Sequence, residues 1–282
     1  MRVIALDDSI RLDTFYSRPG SSRFEVYPAF DGRAGDVPPD FDLARFRTRA
    51  GTPPLPGEVG CAVSHSRLIR EFAGEEGDTD DVMVVAEDDT LLTDDFPAVL
   101  DQVLARAPML GIALLADSWG APRGMPQNRR LAIPSISPHL SWVSTRVGGA
   151  DRRSHRLAHY TGNAWGTRLY LITRGAARTY ANFLCSQGGA VSWVADDYSR
   201  WAAPAGIDMK MVDPALALPA EWGESTIRAG KSTVKHKNNA NRTWRERLRS
   251  SIAIRTRSRH FVGELRATAR DLRDQIAPMR RS

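Results

Sequence analysis

Residues 82–89 read Val82-Met83-Val84-Val85-Ala86-Glu87-Asp88-Asp89. Five apolar or small residues, rich in β-branched valine, run straight into three carboxylates. An apolar run of this length without alternation reads as a strand buried on both faces, as in a parallel sheet. Its acidic end then lies at the carboxyl edge of the sheet, where open α/β sheets take their ligands. Three adjacent carboxylates repel one another, and a divalent cation would relieve that cost. Mg²⁺ and Mn²⁺ favour oxygen ligands and are often held by one or two carboxylates together with substrate phosphates. In an extended segment Glu87 and Asp89 share one face and Asp88 takes the other. The competing reading is an acidic turn after a core strand.

Outward from this strand, helices and strands alternate. Arg2 to Leu6 and Phe24 to Phe30 read as strands, the second followed by the turn signal Asp31-Gly32. Asp36 to Pro56, rich in Pro, Gly and Arg, reads as a long loop. Glu58 to Phe72 has helical spacing through Val59, Val63, Ile69 and Phe72. Asp94-Asp95 can cap the next helix, with Pro97 in its first turn. Leu110 to Ala116 is another buried strand ending at a carboxylate, Asp117. Ser118 to Ala164 is irregular and holds Trp119, Trp142, His139, His155 and His159, which reads as a substrate surface or a partly ordered insertion. Gly166 to Thr173 reads as a strand entering a helix over Arg174 to Leu184. Ser192 to Ala203 reads as a loop and short helix carrying Asp196-Asp197, and Ile207 to Val212 as a late strand. The whole is an α/β pattern without an internal repeat.

With 282 residues, the chain has room for one large α/β domain plus a tail. No apolar stretch reaches the roughly 20 residues of a membrane span, and Met1 to Leu6 lacks the pattern of a signal peptide. Cys61 and Cys185 are far apart, which suits a reducing compartment and two core or near-core thiols. The net charge of +6 hides an asymmetry. Residues 231–282 carry 15 Lys or Arg against 4 Asp or Glu, a net of +11, while residues 1–230 carry 24 against 29, a net of −5. Trp244, Leu248 and Ile252, then Phe261, Leu265, Ala269, Leu272 and Ile276, recur at helical spacing among arginines, so the tail reads as basic amphipathic helices. They suit an anionic membrane surface, the body itself or a second subunit. Nucleic acid fits worst, since aromatic residues are sparsely interleaved and no recognition motif is present.

Several ordered blocks resemble glycosyltransferase family 25, which includes bacterial lipooligosaccharide and collagen galactosyltransferases. They are the opening strand and turn Ile4 to Arg11, the turn Ala29-Phe30-Asp31-Gly32, the block Gly57-Glu58-Val59-Gly60-Cys61-Ala62-Val63-Ser64-His65, the triplet Glu87-Asp88-Asp89, the block Leu169 to Ala176, and Asp196-Asp197. Together they span roughly residues 1 to 227; residues 118 to 164 match nothing in the family pattern. The resemblance implies a GT-A-like (Rossmann-like) mixed sheet flanked by helices over residues 1–230, followed by the basic helical tail, 231–282. It implies transfer of galactose or a related hexose from a nucleotide-diphosphate donor, a UDP-sugar above all, to a hydroxyl of a cell-surface glycan or glycolipid. An inverting, metal-assisted route with Mn²⁺ or Mg²⁺ is expected.

On this reading Asp89 and Glu87 hold the metal and Asp88 reaches the donor ribose or sugar. Asp197, or its neighbour Asp196, is the base that takes the acceptor proton; a helix-capping pair is the alternative. His65 and Ser64 are placed near the donor, with buried structural roles equally open. Ser225, in Glu224-Ser225-Thr226, matches the family's closing block and is implied to touch donor phosphates. His236 is a weaker candidate ligand. The implied location is cytoplasmic, peripheral on the inner face of the membrane. Rival readings are a metal-dependent phosphoesterase or nucleotidyltransferase using the same carboxylates, and a non-catalytic scaffold.

Overall fold

The computed structural model describes residues 1–116, 139–148, 155–161, 166–219 and 254–276. Asp117, Trp119, Ser225, His236 and the first tail stripe (Trp244, Leu248, Ile252) lie outside the described residues. The strands are β1 Arg2–Ala5, β2 Glu25–Pro28, β3 Val82–Glu87, β4 Thr90–Leu92, β5 Ile112–Leu114, β6 His139–Leu140, β7 Thr145–Val147, β8 His155–Thr161, β9 Leu169–Thr173, β10 Met209–Asp213 and β11 Ala217–Pro219. The helices are α1 Leu12–Tyr16, α2 Leu43–Ala50, α3 Pro56–Gly74, α4 Phe96–Leu104, α5 Arg174–Ser186 and α6 Ile254–Ile276.

One mixed sheet runs β2-β1-β3-β9-β5-β10-β8-β6, with β7 also on β8, and β4 and β11 pair separately. The α/β mixed sheet flanked by helices is thus as expected, with one refinement. β3 is parallel to β1 but antiparallel to β9. Its unbroken apolar run therefore reflects burial on both faces rather than a purely parallel neighbourhood. Met83 and Val85 join the core under α3 and α5, with Ile4, Ile112, Tyr170 and Ile172. Val84 and Ala86 enter the opposite core with Val3, Leu169, Leu171 and Phe96, Val99 and Leu100 of α4. Alternate side chains of one strand thus feed two layers, each large apolar side chain contributing about 1.5–3 kcal/mol of burial.

Three local expectations are corrected. The 36–56 stretch contains a helix, α2, whose Asp42 accepts a hydrogen bond from Arg45 N at 2.8 Å and which ends at Gly51 with φ 73°. The segment is tied down by Asp40, which receives both Nε and Nη2 of Arg67 at 2.7 and 2.9 Å. Asp95 stands before α4 but makes no capping bond; its carboxylate lies 3.3 Å from Nε2 of buried His155, and Asp94 pairs with Arg18. Cys185 is exposed rather than near the core.

The second tail stripe also behaves differently from a helix buried by its apolar face. α6 packs against β8 and β6, and the face it buries is Gly263, Ala267 and Asp271. Asp271 accepts a hydrogen bond from His159 N at 3.2 Å, and its carboxylate lies 4.0 Å from Lys210 Nζ. Phe261, Leu265 and Leu272 point outward, each more than 40% exposed. Small residues let the helix approach the sheet closely, and the buried carboxylate answers a buried lysine.

Candidate active site

A cleft of about 340 Å³ opens at the carboxyl ends of β1, β2 and β3. Its walls include Ser9, Arg11, Phe30 and Arg33, and its floor includes Cys61, His65, Glu87, Asp88 and Asp89. Two of the sequence blocks create this geometry by meeting each other. Gly32 and Gly60 form the crossing between the Asp-Gly turn and α3. A Cβ at Gly32 would lie 2.1 Å from Pro56 O, and one at Gly60 2.9 Å from Phe30 O, so only glycine permits this approach. Glu58 reaches back to accept Leu55 N at 2.8 Å, closing the first turn of α3. Ser64 donates to Gly60 O at 2.6 Å and accepts Phe30 N at 2.8 Å, pinning the end of β2 to the helix. That hydroxyl is committed to the backbone, so Ser64 shapes the cleft wall instead of offering a free contact.

The triplet splits three ways, because the chain turns after Glu87 and the simple alternation of an extended strand ends there. Glu87 accepts hydrogen bonds from Thr167 Oγ1 and from His65, whose Nε2 lies 3.3 Å away. The other ring nitrogen of His65 lies 3.0 Å from Tyr170 OH. With Nε2–H donating to the carboxylate, Nδ1 accepts from the tyrosine, so His65 is a satisfied buried group that orients Glu87. Burial opposes the Glu87 charge, but the His65 and Thr167 bonds outweigh it and hold the carboxyl below its ordinary value. Asp88 turns the other way, to Ser9 Oγ and to Arg11 Nη1 at 3.4 Å.

Asp89 is the exception. Its Oδ1 is buried without a hydrogen-bond partner, and Arg168 Nε lies 3.9 Å away. Burial, then the Glu87 charge, push its carboxyl up to about 6. A buried carboxylate oxygen with no hydrogen bond and only a long ion pair is costly, and Asp89 is one of the residues that line the cleft.

Asp196 and Asp197 have opposite surroundings. Asp196 accepts Gly166 N at 3.1 Å, and burial together with the Glu87 charge push it up to about 6. Asp197 accepts from Ser199 Oγ at 2.5 Å and pairs with Arg200 at 3.5 Å, within its own turn. The Glu87 charge thus acts on Asp196, while Asp197 is engaged within its own turn. Sequence reasoning missed Thr167 and Arg168, and assigned no role to Ser9 and Arg11 within the opening block. Tyr170 stood inside a recognised block, and Cys61 stood one helical turn before His65, so spacing could have exposed both.

Comparison with known proteins gives a family and a distant structural likeness. The profile described as Glycosyltransferase family 25 (LPS biosynthesis protein) matches residues 3–197. No curated protein sequence matches the chain. Among solved structures, galactosyltransferase LgtC in complex with donor and acceptor sugar analogs is 12% identical, with a TM-score of 0.30, over 74% of this chain and 61% of that one. The profile covers well over half of the sequence, including the glycine crossing, the acidic triplet and Asp196-Asp197: the chain belongs to glycosyltransferase family 25.

Proposed function

We propose that this chain transfers a hexose, galactose or a relative, from a nucleoside-diphosphate sugar such as a UDP-sugar to a hydroxyl of a cell-surface glycan or glycolipid. The observation that carries the reading is the buried Asp89 Oδ1, which has no hydrogen bond and only a 3.9 Å ion pair to Arg168, in a residue that lines a cleft at the carboxyl ends of three parallel strands. A divalent cation, Mn²⁺ or Mg²⁺, fits there. The donor set is oxygen-rich, and an ion removes the cost borne by the Asp89 carboxylate. Asp89, with Glu87 beside it, would hold the ion, whose charge offsets that of the departing diphosphate.

The chain's own residues account for the remaining chemistry. Arg11 and Arg33 line the cleft, the first paired with Asp88 and the second with Asp8 and Asp31, and each would turn from a carboxylate to a donor phosphate on binding. Asp88, fixed by Ser9 and Arg11, is placed to accept from donor hydroxyls. Inversion needs a base opposite the leaving group. The acceptor oxygen bonds to the anomeric carbon as the carbon–diphosphate bond breaks, and its proton passes to a carboxylate. Asp196 suits that task better than Asp197, because a carboxyl near 6 is both ionised and basic at neutral pH.

For the acceptor side we propose a peripheral site on the cytoplasmic face of an anionic membrane. No helix among the described residues is long and apolar enough to cross one. Support comes from the outward face of α6, where exposed Phe261, Leu265 and Leu272 lie among exposed Arg266, Arg270 and Arg273. Trp142 extends the patch, its ring 5.4 Å from Phe261. Thermal shift against a panel of nucleotide sugars with Mn²⁺ tests the donor assignment. A bound donor at 100 times its Kd adds about 2.7 kcal/mol, and no shift with any nucleotide sugar would reject it.

A further inference from the structure

Among the described residues, Cys61, His65 and Glu87 present one sulfur, one imidazole nitrogen and one carboxylate oxygen, all within 4.8 Å of one another. Cys61 and His65 stand one turn apart on α3, and Glu87 ends β3 opposite them. The three line the cleft floor, so an ion can reach them. We infer that they form a second metal site, of mixed sulfur, nitrogen and oxygen character, that takes Zn²⁺ in preference to Mn²⁺ or Mg²⁺.

The nitrogen–oxygen separation suits a tetrahedral ion, and Cys61 Sγ lies within 4.8 Å of both atoms. Nitrogen and oxygen ligands at about 2.0 Å and tetrahedral angles lie about 3.3 Å apart, and His65 Nε2 and Glu87 Oε1 are separated by 3.3 Å. The chemistry agrees, because a thiolate selects Zn²⁺ over hard oxygen-seeking ions, and Mn²⁺ stands at the weak end of the divalent affinity order. Three protein ligands leave the fourth position open to water. Outer contacts are also in place. Tyr170 OH sits on Nδ1 of His65, so that when Nε2 turns to an ion the opposite nitrogen donates to the tyrosine. Thr167 Oγ1 touches both Glu87 and, at 3.9 Å, Cys61 Sγ. The ion displaces the Cys61 proton, which is released to solvent.

The inference does not rest on the transferase reading, and its test needs no substrate. Full-length protein carrying Cys185→Ser, stripped of metal, is titrated with Co²⁺ and followed by absorption. One equivalent should give a near-ultraviolet thiolate-to-cobalt band with intense tetrahedral visible bands, all displaced by Zn²⁺. Cys61→Ser should remove the thiolate band, Tyr170→Phe should weaken Zn²⁺ binding about 10- to 100-fold, and Asp89→Asn should leave the band intact. Absence of a thiolate band in the Cys185→Ser protein overturns the proposal. So does a band that survives Cys61→Ser, or one that disappears in Asp89→Asn.

Discussion

Replacing Asp89 by Asn should abolish metal-dependent activity and yet make the metal-free protein more stable. The carboxyl is pushed from 3.8 to about 6, which at 1.36 kcal/mol per unit corresponds to about 3 kcal/mol. The side chain is 32% exposed and Arg168 lies nearby, so solvent screening reduces this to about 1–2 kcal/mol. The sign follows from proton binding. Because the folded-state value is raised, the charge costs stability fully above about pH 6, less between 6 and 3.8, and nothing below. Asn carries no charge at any of these values. Urea unfolding in EDTA at pH 7.5 should therefore show the variant more stable by that amount, with the gap closing towards pH 4. Added Mn²⁺ should stabilise wild type and leave the variant unchanged. A variant less stable than wild type in EDTA at pH 7.5 would refute the view that Asp89 is an uncompensated charge awaiting a cation.

Other expectations follow from the same geometry. Asp196→Asn should lower kcat by roughly 10²-fold or more with donor affinity nearly kept, whereas Asp197→Asn should cost little; steady-state kinetics of the two variants decide between the adjacent carboxylates. Activity should rise with pH through about 6, because Asp196 and Asp89 must both be ionised, and a profile flat from pH 5 to 8 would contradict this. Gly32→Ala should destabilise by about 1–3 kcal/mol or more, since its Cβ would meet Pro56 O at 2.1 Å and backbone must move, as thermal denaturation would report. Asp271→Ala should cost about 1–3 kcal/mol by removing the acceptor of the buried His159 N–H and weakening the hold of α6 on the sheet, as urea unfolding would report. Phe261→Ser with Leu265→Ser should leave stability nearly unchanged but reduce co-sedimentation with anionic liposomes, the residual binding falling with salt.

Residues whose fate depends on local pattern were legible in the sequence. β3 showed as an apolar run, α3 as a helical repeat, and the triplet as carboxylates at a strand end. α2 carried its own signals, Asp42 before it and Gly51 after it, but the surrounding Pro, Gly and Arg obscured them. The split between Asp196 and Asp197 was invisible because the surroundings of Asp196 come from residues remote in sequence, whereas those of Asp197 are local. Glu87 and Gly166 face one, while Ser199 and Arg200 engage the other. The tail stripe was found correctly as a pattern, yet which face meets the sheet was decided by Lys210 and the backbone of His159. Apolar spacing marks a stripe without saying what covers it. Of the two roles left open for Ser64, its bonds to Phe30 and Gly60 show the structural one, and those partners could not be read from local spacing.

Transfer itself is the most direct test of the central claim. Full-length protein is incubated with Mn²⁺, a panel of nucleotide sugars and a hydroxyl-bearing glycan, and nucleoside diphosphate release is measured alongside glycosylated product. The account predicts release that requires the acceptor, matches product one to one, stops in EDTA and is lost in Asp89→Ala. Full activity in excess EDTA, unchanged activity in Asp89→Ala, or cleavage of phosphate esters with no sugar transferred would contradict it.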